Sequence, residues 1–396
     1  MSDLGLAALL AVTILIASTV SVEVGLSVAL IELAAGVVVG NVFTVTVPDW
    51  LSFIGSFAGV VLTFLAGAEV DVPQFRREWR ASLGIGAVSF VAPFLVAMSF
   101  AYWLIGWSAD QAEIGGLALS TTSLAVVYAV LVETGLNRSI IGKRIMSATF
   151  VTDILTVIGL SLLFVTPNLW IIPFAGVSVL SIWGLPRISP WFFSRYGDRV
   201  IEPEIKLVFA ALFVLMYLGD KANSQAVLPA FVLGLTMSGH YARHRTEQER
   251  LRVVAFAFLT PFFFLKGGLN VSLSAVWANL GVLALLVIAK MVPKFGGVYP
   301  LARRYCSPNA AFTTLLMSTG LTFGTITSLY GLQSGIIDRT QFSLLITVVV
   351  LSAIVPTAIA QHFFEPQPDD QTAHRLAVEP SPRRSSVPGR PREGET

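Results

Sequence analysis

GGLALSTTSLAVVYAVLVETGLNRSIIGKRIMSATFVTDILTVIGLSLLF, residues 115–164, is two apolar runs joined by a short basic connection, and two interruptions inside the runs decide how the chain reads. The first is the polar group Ser120-Thr121-Thr122-Ser123, halfway along its run. The second is Asp153, nine residues past Arg144. At the helical rise this places the carboxylate about 13 Å into a hydrocarbon layer roughly 30 Å thick. An ionisable group at that depth is costly and is a site candidate by default. Loss of water disfavours the ionised form of a carboxylate, so protons and cations can compete for it.

The rest of the chain supports a bilayer setting. With 55% hydrophobic and 13% charged residues over 396 positions, there is too little polar surface to coat a soluble globule. The single cysteine, Cys306, excludes an internal disulfide framework and a multi-cysteine metal site, and reads as a packing residue. The apolar stretch from residue 4 has no Lys/Arg-rich leader, so it is expected to remain as a first span rather than be cleaved. Cutting the sequence at charges, prolines and glycines gives thirteen candidate spans starting near residues 4, 23, 50, 81, 113, 142, 168, 205, 223, 252, 276, 309 and 340.

Alternate loops between these spans differ sharply in Lys and Arg. One side collects Arg76, Arg77 and Arg80; Arg138, Lys143 and Arg144; Arg187, Arg195, Arg199 and Lys206; Arg243, Arg245, Arg250 and Arg252; and Arg303 and Arg304. The other has Lys221 and Arg339. Cytoplasmic loops are enriched in both residues, so the N-terminus is expected outside and the C-terminus in the cytoplasm. The expected organisation is a transmembrane domain over residues 1–364 and, from residue 365, a Pro-, Ser- and Arg-rich cytoplasmic tail that is disordered.

Self-comparison at an offset near 200 aligns Phe64-Leu65-Ala66-Gly67-Ala68 with Phe264-Leu265-Lys266-Gly267-Gly268, and Pro93 with Pro293. Leu119-Ser120-Thr121 recurs as Met317-Ser318-Thr319. The expected layout is therefore two six-helix repeats, about 4–164 and 205–362, around a linker helix at about 168–186. An odd linker inverts the second repeat, and such transporters place their site at the midplane where the halves meet. Val348 and Val349 stand near the position equivalent to Asp153, so the carboxylate belongs to one half.

Other residues join Asp153 as candidates. Lys290 stands inside a span with no other charge between Lys266 and Lys294, and is expected at mid-membrane. Lys266, beside Gly267-Gly268, reads equally as a snorkelling and as a functional lysine. Ser318, Thr319 and Gly320 mirror Ser120, Thr121, Thr122 and Ser123. Their hydroxyls could simply back-bond within a helix, but the shared depth favours two unwound helices whose exposed backbone and half-helix dipoles line a cavity. An acid and a base such as Asp153 and Lys290 would balance the opposed ends. Glu32 is mid-span and could be structural or functional, whereas Glu69 and Asp71 read as structural ion pairs. His240 and His244 have helical spacing that permits metal binding or pH sensing, with a solvated basic loop the better reading.

The stretch quoted at the start, with FLAGAEVDVPQFRR, LTPFFFLKGGLNVSL, VIAKMVPKFGGVYPLARR and STGLTFG, resembles the cation:proton antiporter-2 family, of sodium/hydrogen exchanger type, over nearly all of residues 4–362. The resemblance implies an all-α membrane protein with the sodium/proton antiporter fold and two crossed unwound helices. It implies a homodimer working as an elevator. Asp153 falls on the ion-binding aspartate, Lys290 on the family's basic residue, and Thr121, Thr122 and Ser123 on the crossing. Thr152 departs from the family, whose electrogenic members have a second aspartate there, and a hydroxyl cannot carry a proton in that role. The expectation is electroneutral exchange of Na⁺ or K⁺ for H⁺ in the cell membrane, with Thr152 as an oxygen ligand and Lys290 pairing with Glu32 or Asp153. No cofactor, no metal beyond the transported cation and no nucleic-acid partner are expected. The alternative is a gated potassium efflux channel-like protein of the same fold. An enzyme is not expected, since no zinc-protease, serine-nucleophile or phosphate-loop pattern is present.

Overall fold

The computed structural model describes residues 2–366 except 25–26, 44, 46, 135, 165–167, 198, 200 and 365. The tail assigned to residues 365–396 lies outside the described residues apart from Pro366. Every regular element among the described residues is helical. In order they are α1 (Asp3–Val24), α2 (Val28–Val42), α3 (Asp49–Ala68), α4 (Val72–Arg77), α5 (Trp79–Ser99), α6 (Ala109–Ser120), α7 (Leu124–Glu133), α8 (Ile140–Leu163) and α9 (Ile171–Tyr196). There follow α10 (Pro203–Lys221), α11 (Val227–Tyr241), α12 (Arg245–Val254), α13 (Thr260–Leu269), α14 (Leu273–Ala278), α15 (Leu280–Tyr305), α16 (Ala310–Met317), α17 (Thr322–Gln333) and α18 (Arg339–Phe363). A wide π turn, Phe100–Ile105, extends α5, and a second, Ala255–Leu259, joins α12 to α13. Among the described residues, nine helical segments are long and apolar enough to cross a membrane.

Capping explains where several helices begin. Ser108 and Gln111 form a reciprocal capping box, which starts α6 four residues ahead of the apolar run expected from residue 113. Asp338 and Gln341 do the same for α18, and Ser139 accepts from the Gly142 N–H at the start of α8. The span expected from residue 252 begins earlier, because the polar turn Arg245-Thr246-Glu247-Gln248-Glu249-Arg250 is already helical in α12. Cutting at charges misses such polar first turns.

Burial sorts the helices. α1 and α9 are mostly exposed, with Ile172, Leu180, Trp183 and Trp191 of α9 open to the surroundings. Apolar exposure on helices whose backbone is internally satisfied is what lipid contact requires. The inner helices approach one another through glycine. A Cβ on Gly67 of α3 would strike the Phe231 carbonyl of α11, and one on Gly234 of α11 would strike the Phe64 carbonyl of α3. α2 and α13 make the same exchange, Gly36 against Leu265 and Gly268 against Leu33. Lipid tails are as apolar as leucine, so close backbone packing of this kind holds membrane helices together. α5 packs against α6, α8 and α15, which brings the candidate residues into one volume.

Candidate functional site

Two helices break in the protein interior. α6 ends at Ser120 and α7 starts at Leu124, with Thr121 in extended backbone at ψ 154°. α16 ends at Met317 and α17 starts at Thr322. The breaks touch: a Cβ at Gly320 would lie 3.0 Å from the Thr121 carbonyl and 2.5 Å from Lys290 Nζ. Only glycine lets the two backbones come this close. Ser120, Thr121, Thr122, Ser123, Ser318 and Thr319 are all fully buried.

Most of these hydroxyls bond backward within their own helix: Ser120 to Leu117 O, Thr121 to Ala118 O, Ser318 to Thr314 O and Thr319 to Leu316 O. Ser123 instead accepts from the Val126 N–H at the start of α7. Thr122 reaches across, donating to the Met317 carbonyl at 2.9 Å. Back-bonding within the helix thus holds for four of the six hydroxyls, and Thr122 is the one that bonds across to the other break.

The cation at this junction is one the sequence reading passed over. Lys294 of α15 donates to Thr121 O at 2.9 Å, Thr122 Oγ1 at 3.0 Å and Met317 O at 2.8 Å. Two of these acceptors belong to the C-terminal ends of α6 and α16, where helix dipoles are negative and cations are favoured. The two carbonyls only accept, and the Thr122 hydrogen is committed to Met317. The three acceptors match in number the three N–H groups of an ammonium. Lys294 is close enough to Asp153 for the two charges to interact. The available signal was spacing, since Lys290 and Lys294 stand four apart and so share a helix face.

Asp153 lies on α8 and is 1% exposed. Its Oδ1 has no hydrogen-bond partner among the described residues. One turn before it, Thr149 contacts Met317 Sδ at 3.6 Å, so this face of α8 looks onto the second break. Thr152 is buried, donates to Thr149 O at 2.6 Å and accepts from Thr156 at its own carbonyl. Lys290 is fully buried beside Gly320 with no hydrogen-bond partner, and its charge acts on Lys294. Among the described residues it forms no ion pair with Glu32 or Asp153.

The remaining candidates sit elsewhere. Glu32 is buried in α2 with its Oε2 unpartnered. Lys266 donates to Ser52 O at 3.0 Å and lays its stem where Gly55 has no side chain, so it docks α13 on α3. Glu69 pairs with Arg252 at 3.2 Å, as expected, whereas Asp71, expected in an ion pair, caps α4 by accepting from the Gln74 N–H. His240 is not solvated: it is 8% exposed and its Nε2 is 2.8 Å from Glu247 Oε2, whereas His244 is exposed. A cleft of about 80 Å³ opens between α2, α7 and α18, lined by Ser27, Leu30, Val126, Ala353, Thr357 and Gln361 among others.

The profile of a family described as "Sodium/hydrogen exchanger, transmembrane" matches residues 8–365. A probable Na(+)/H(+) antiporter 3 of Methanocaldococcus jannaschii is 24% identical over 353 residues, which are 83% of this chain and 88% of the relative. The Na(+)/H(+)-K(+) antiporter GerN of Bacillus cereus is 22% identical over 374 residues, 90% of this chain and 95% of the relative. The Na(+)/H(+) antiporter of Enterococcus hirae is 25% identical over 387 residues, covering 92% and 98%. Among solved structures, the sodium proton antiporter MjNhaP1 from Methanocaldococcus jannaschii superposes with a TM-score of 0.69 at 14% identity, over 93% of this chain and 100% of that one. That likeness is one of fold. With a match spanning nearly its whole helical part, the chain is a member of the transmembrane sodium/hydrogen exchanger family.

Proposed function

We propose that the protein exchanges a monovalent cation, Na⁺ or K⁺, for protons, and that Asp153 carries the cation in one direction and the proton in the other. The observation that carries this reading is a fully enclosed carboxylate with an unpartnered oxygen beside two helix breaks. The matched relatives named for Na⁺/H⁺ exchange, one of them also for K⁺, support the substrate class. Thr152 and the oxygens of Ser120, Thr121, Thr122, Ser123, Ser318, Thr319 and Gly320 are the nearby groups from which ligands would come. Hard oxygen donors suit both ions. Lys290 and Lys294 offset the carboxylate and the half-helix dipoles.

Electroneutral one-for-one exchange follows from charge counting. Asp153 accepts one Na⁺ or one H⁺, Thr152 carries neither charge, and Lys294 keeps its proton while its three acceptors hold it. The proposed architecture is thirteen crossings in two inverted repeats. Support comes from the helices: besides the nine long apolar segments, α2, α10, α11 and the broken pair α16–α17 occur where further crossings are needed. The glycine contacts also pair up, since exchanging the repeats turns the α2–α13 contact into the α11–α3 contact. We further propose residues 1–364 as the transport domain, a cell-membrane location, an outside N-terminus, a cytoplasmic C-terminus and a homodimer in which a core bundle moves past a scaffold. The cleft between α2, α7 and α18 would then be the cytoplasmic approach.

Proteoliposomes loaded with Na⁺ or K⁺ and diluted into cation-free buffer test the reading. Exchange predicts that outward cation flow drives protons inward against an imposed pH gradient. Dissipation of both gradients independently would contradict it and indicate a channel.

A further inference from the structure

Far along the chain from the helix breaks, three metal-ligating side chains converge where α11 passes into α12. His240 is in the last turn of α11, His244 is the N-cap of α12 and Glu247 is in the first turn of α12. One ligand atom from each lies within 4.8 Å of the other two. The imidazole rings stack with centroids 4.4 Å apart, and the ring of Phe193 stands 5.1 Å from that of His240. His240 is thus walled by an aromatic side chain, while His244 keeps the group open to incoming solute.

The orientation of His244 is set by its own backbone neighbourhood. Its Nδ1 lies 3.2 Å from the carbonyl oxygen of His240. A carbonyl only accepts, so Nδ1 carries the hydrogen and the Nε2 lone pair is left for a ligand. Backbone carbonyls fix metal-binding histidines in this way in established sites. His240 Nε2 and Glu247 Oε2, at 2.8 Å, share the proton that a bound cation would displace.

We propose that His240, His244 and Glu247 form a binding site for a divalent transition metal of the zinc class. Two imidazole nitrogens and one carboxylate oxygen are a borderline donor set that suits Zn²⁺, whereas Ca²⁺ and Mg²⁺ demand mostly oxygen ligands. Zinc bonds of about 2.0–2.2 Å place tetrahedral ligand atoms about 3.3–3.6 Å apart, so the His240–Glu247 contact relaxes slightly and His244 closes by at most about 1.5 Å. Water fills the fourth position on the open side. The ion would span the bend between α11 and α12, and α12 runs through a π turn into α13, the helix that carries Lys266 and packs on α2. A bound ion would therefore tie the end of α11 to the first turn of α12. This inference stands on the cluster alone and does not depend on which ion the protein transports.

Calorimetric titration of the purified full-length protein, with any affinity tag removed, tests it using Zn²⁺, and Co²⁺ absorption reports the geometry. The expected result is one Zn²⁺ per chain, visible bands of four-coordinate Co²⁺ and a melting temperature raised by Zn²⁺. His244→Ala removes an exposed ligand, and Glu247→Gln keeps the shape and the contact to His240; each is expected to weaken binding about tenfold or more. Melting curves without metal read the fold of each variant, and if one fails to fold the other decides. Absence of stoichiometric Zn²⁺ binding by the wild type overturns the proposal. So does wild-type affinity in the His244→Ala/Glu247→Gln double variant, which would move the ion to His362, His374 or another group.

Discussion

Lys290 and Lys294 are one helical turn apart on α15, and their surroundings differ enough to separate them by experiment. Lys294 donates to three oxygens, two of them helix-terminal carbonyls. Replacing it with Met takes the Lys294 donor from the buried Thr121 carbonyl, at about 1–3 kcal/mol, and leaves Met317 O and Thr122 with only their bond to each other and the longer contacts of Ser89. Lys290 has no hydrogen-bond partner, so Lys290→Met removes a buried charge without orphaning an acceptor. The expected outcome is a large fall in melting temperature for Lys294→Met and little change or a rise for Lys290→Met, measured in the same detergent. Equal destabilisation by both would contradict the division of labour described here. Lys294 shows what single-residue reading of a sequence leaves out: it stands beside Pro293, and only its four-residue spacing from Lys290 marks it as facing the same interior.

At the scale of elements, the breaks themselves were legible. Polar hydroxyl clusters at equal depth in two apolar runs pointed to Ser120–Ser123 and to Ser318–Gly320, and α6 and α16 end there. What the sequence did not carry was which hydroxyl crosses between helices, because back-bonding and cross-bonding serines and threonines look alike in one dimension. Thr122 crosses and its neighbours do not. Helix starts were displaced where a polar first turn precedes the apolar run, as in α12, since hydropathy reports bilayer contact and not helicity. Gly320 gives the crossing its own test. A methyl group there meets the Thr121 carbonyl at 3.0 Å and the buried Lys290 Nζ at 2.5 Å, so Gly320→Ala is expected to cost about 1–3 kcal/mol and to slow exchange markedly. Unchanged melting and exchange would mean the two breaks have room to separate.

For the whole molecule, membrane character and family followed from the residues because composition, charge bias and the quoted motifs all act over hundreds of positions. Quaternary arrangement left no such trace, since lipid-facing and partner-facing helix surfaces are both apolar. Charge movement is where the proposed one-carboxylate cycle makes a whole-molecule prediction. One-for-one exchange moves no net charge, so in proteoliposomes clamped by valinomycin and potassium, with Na⁺ as the exchanged ion, the rate is expected to be the same at imposed potentials of either sign. A rate that changes severalfold on reversing the potential would require a second titrating group, and Lys294 would be the first to examine.

The most direct test concerns Asp153 itself. Cation-driven proton movement is measured in proteoliposomes containing wild type or Asp153→Asn at matched protein density, with melting curves verifying that the variant is folded. Asparagine keeps the size of the side chain but takes up neither a proton nor a cationic charge. The account predicts that Asp153→Asn loses coupled exchange while remaining folded; exchange at the wild-type rate would contradict it.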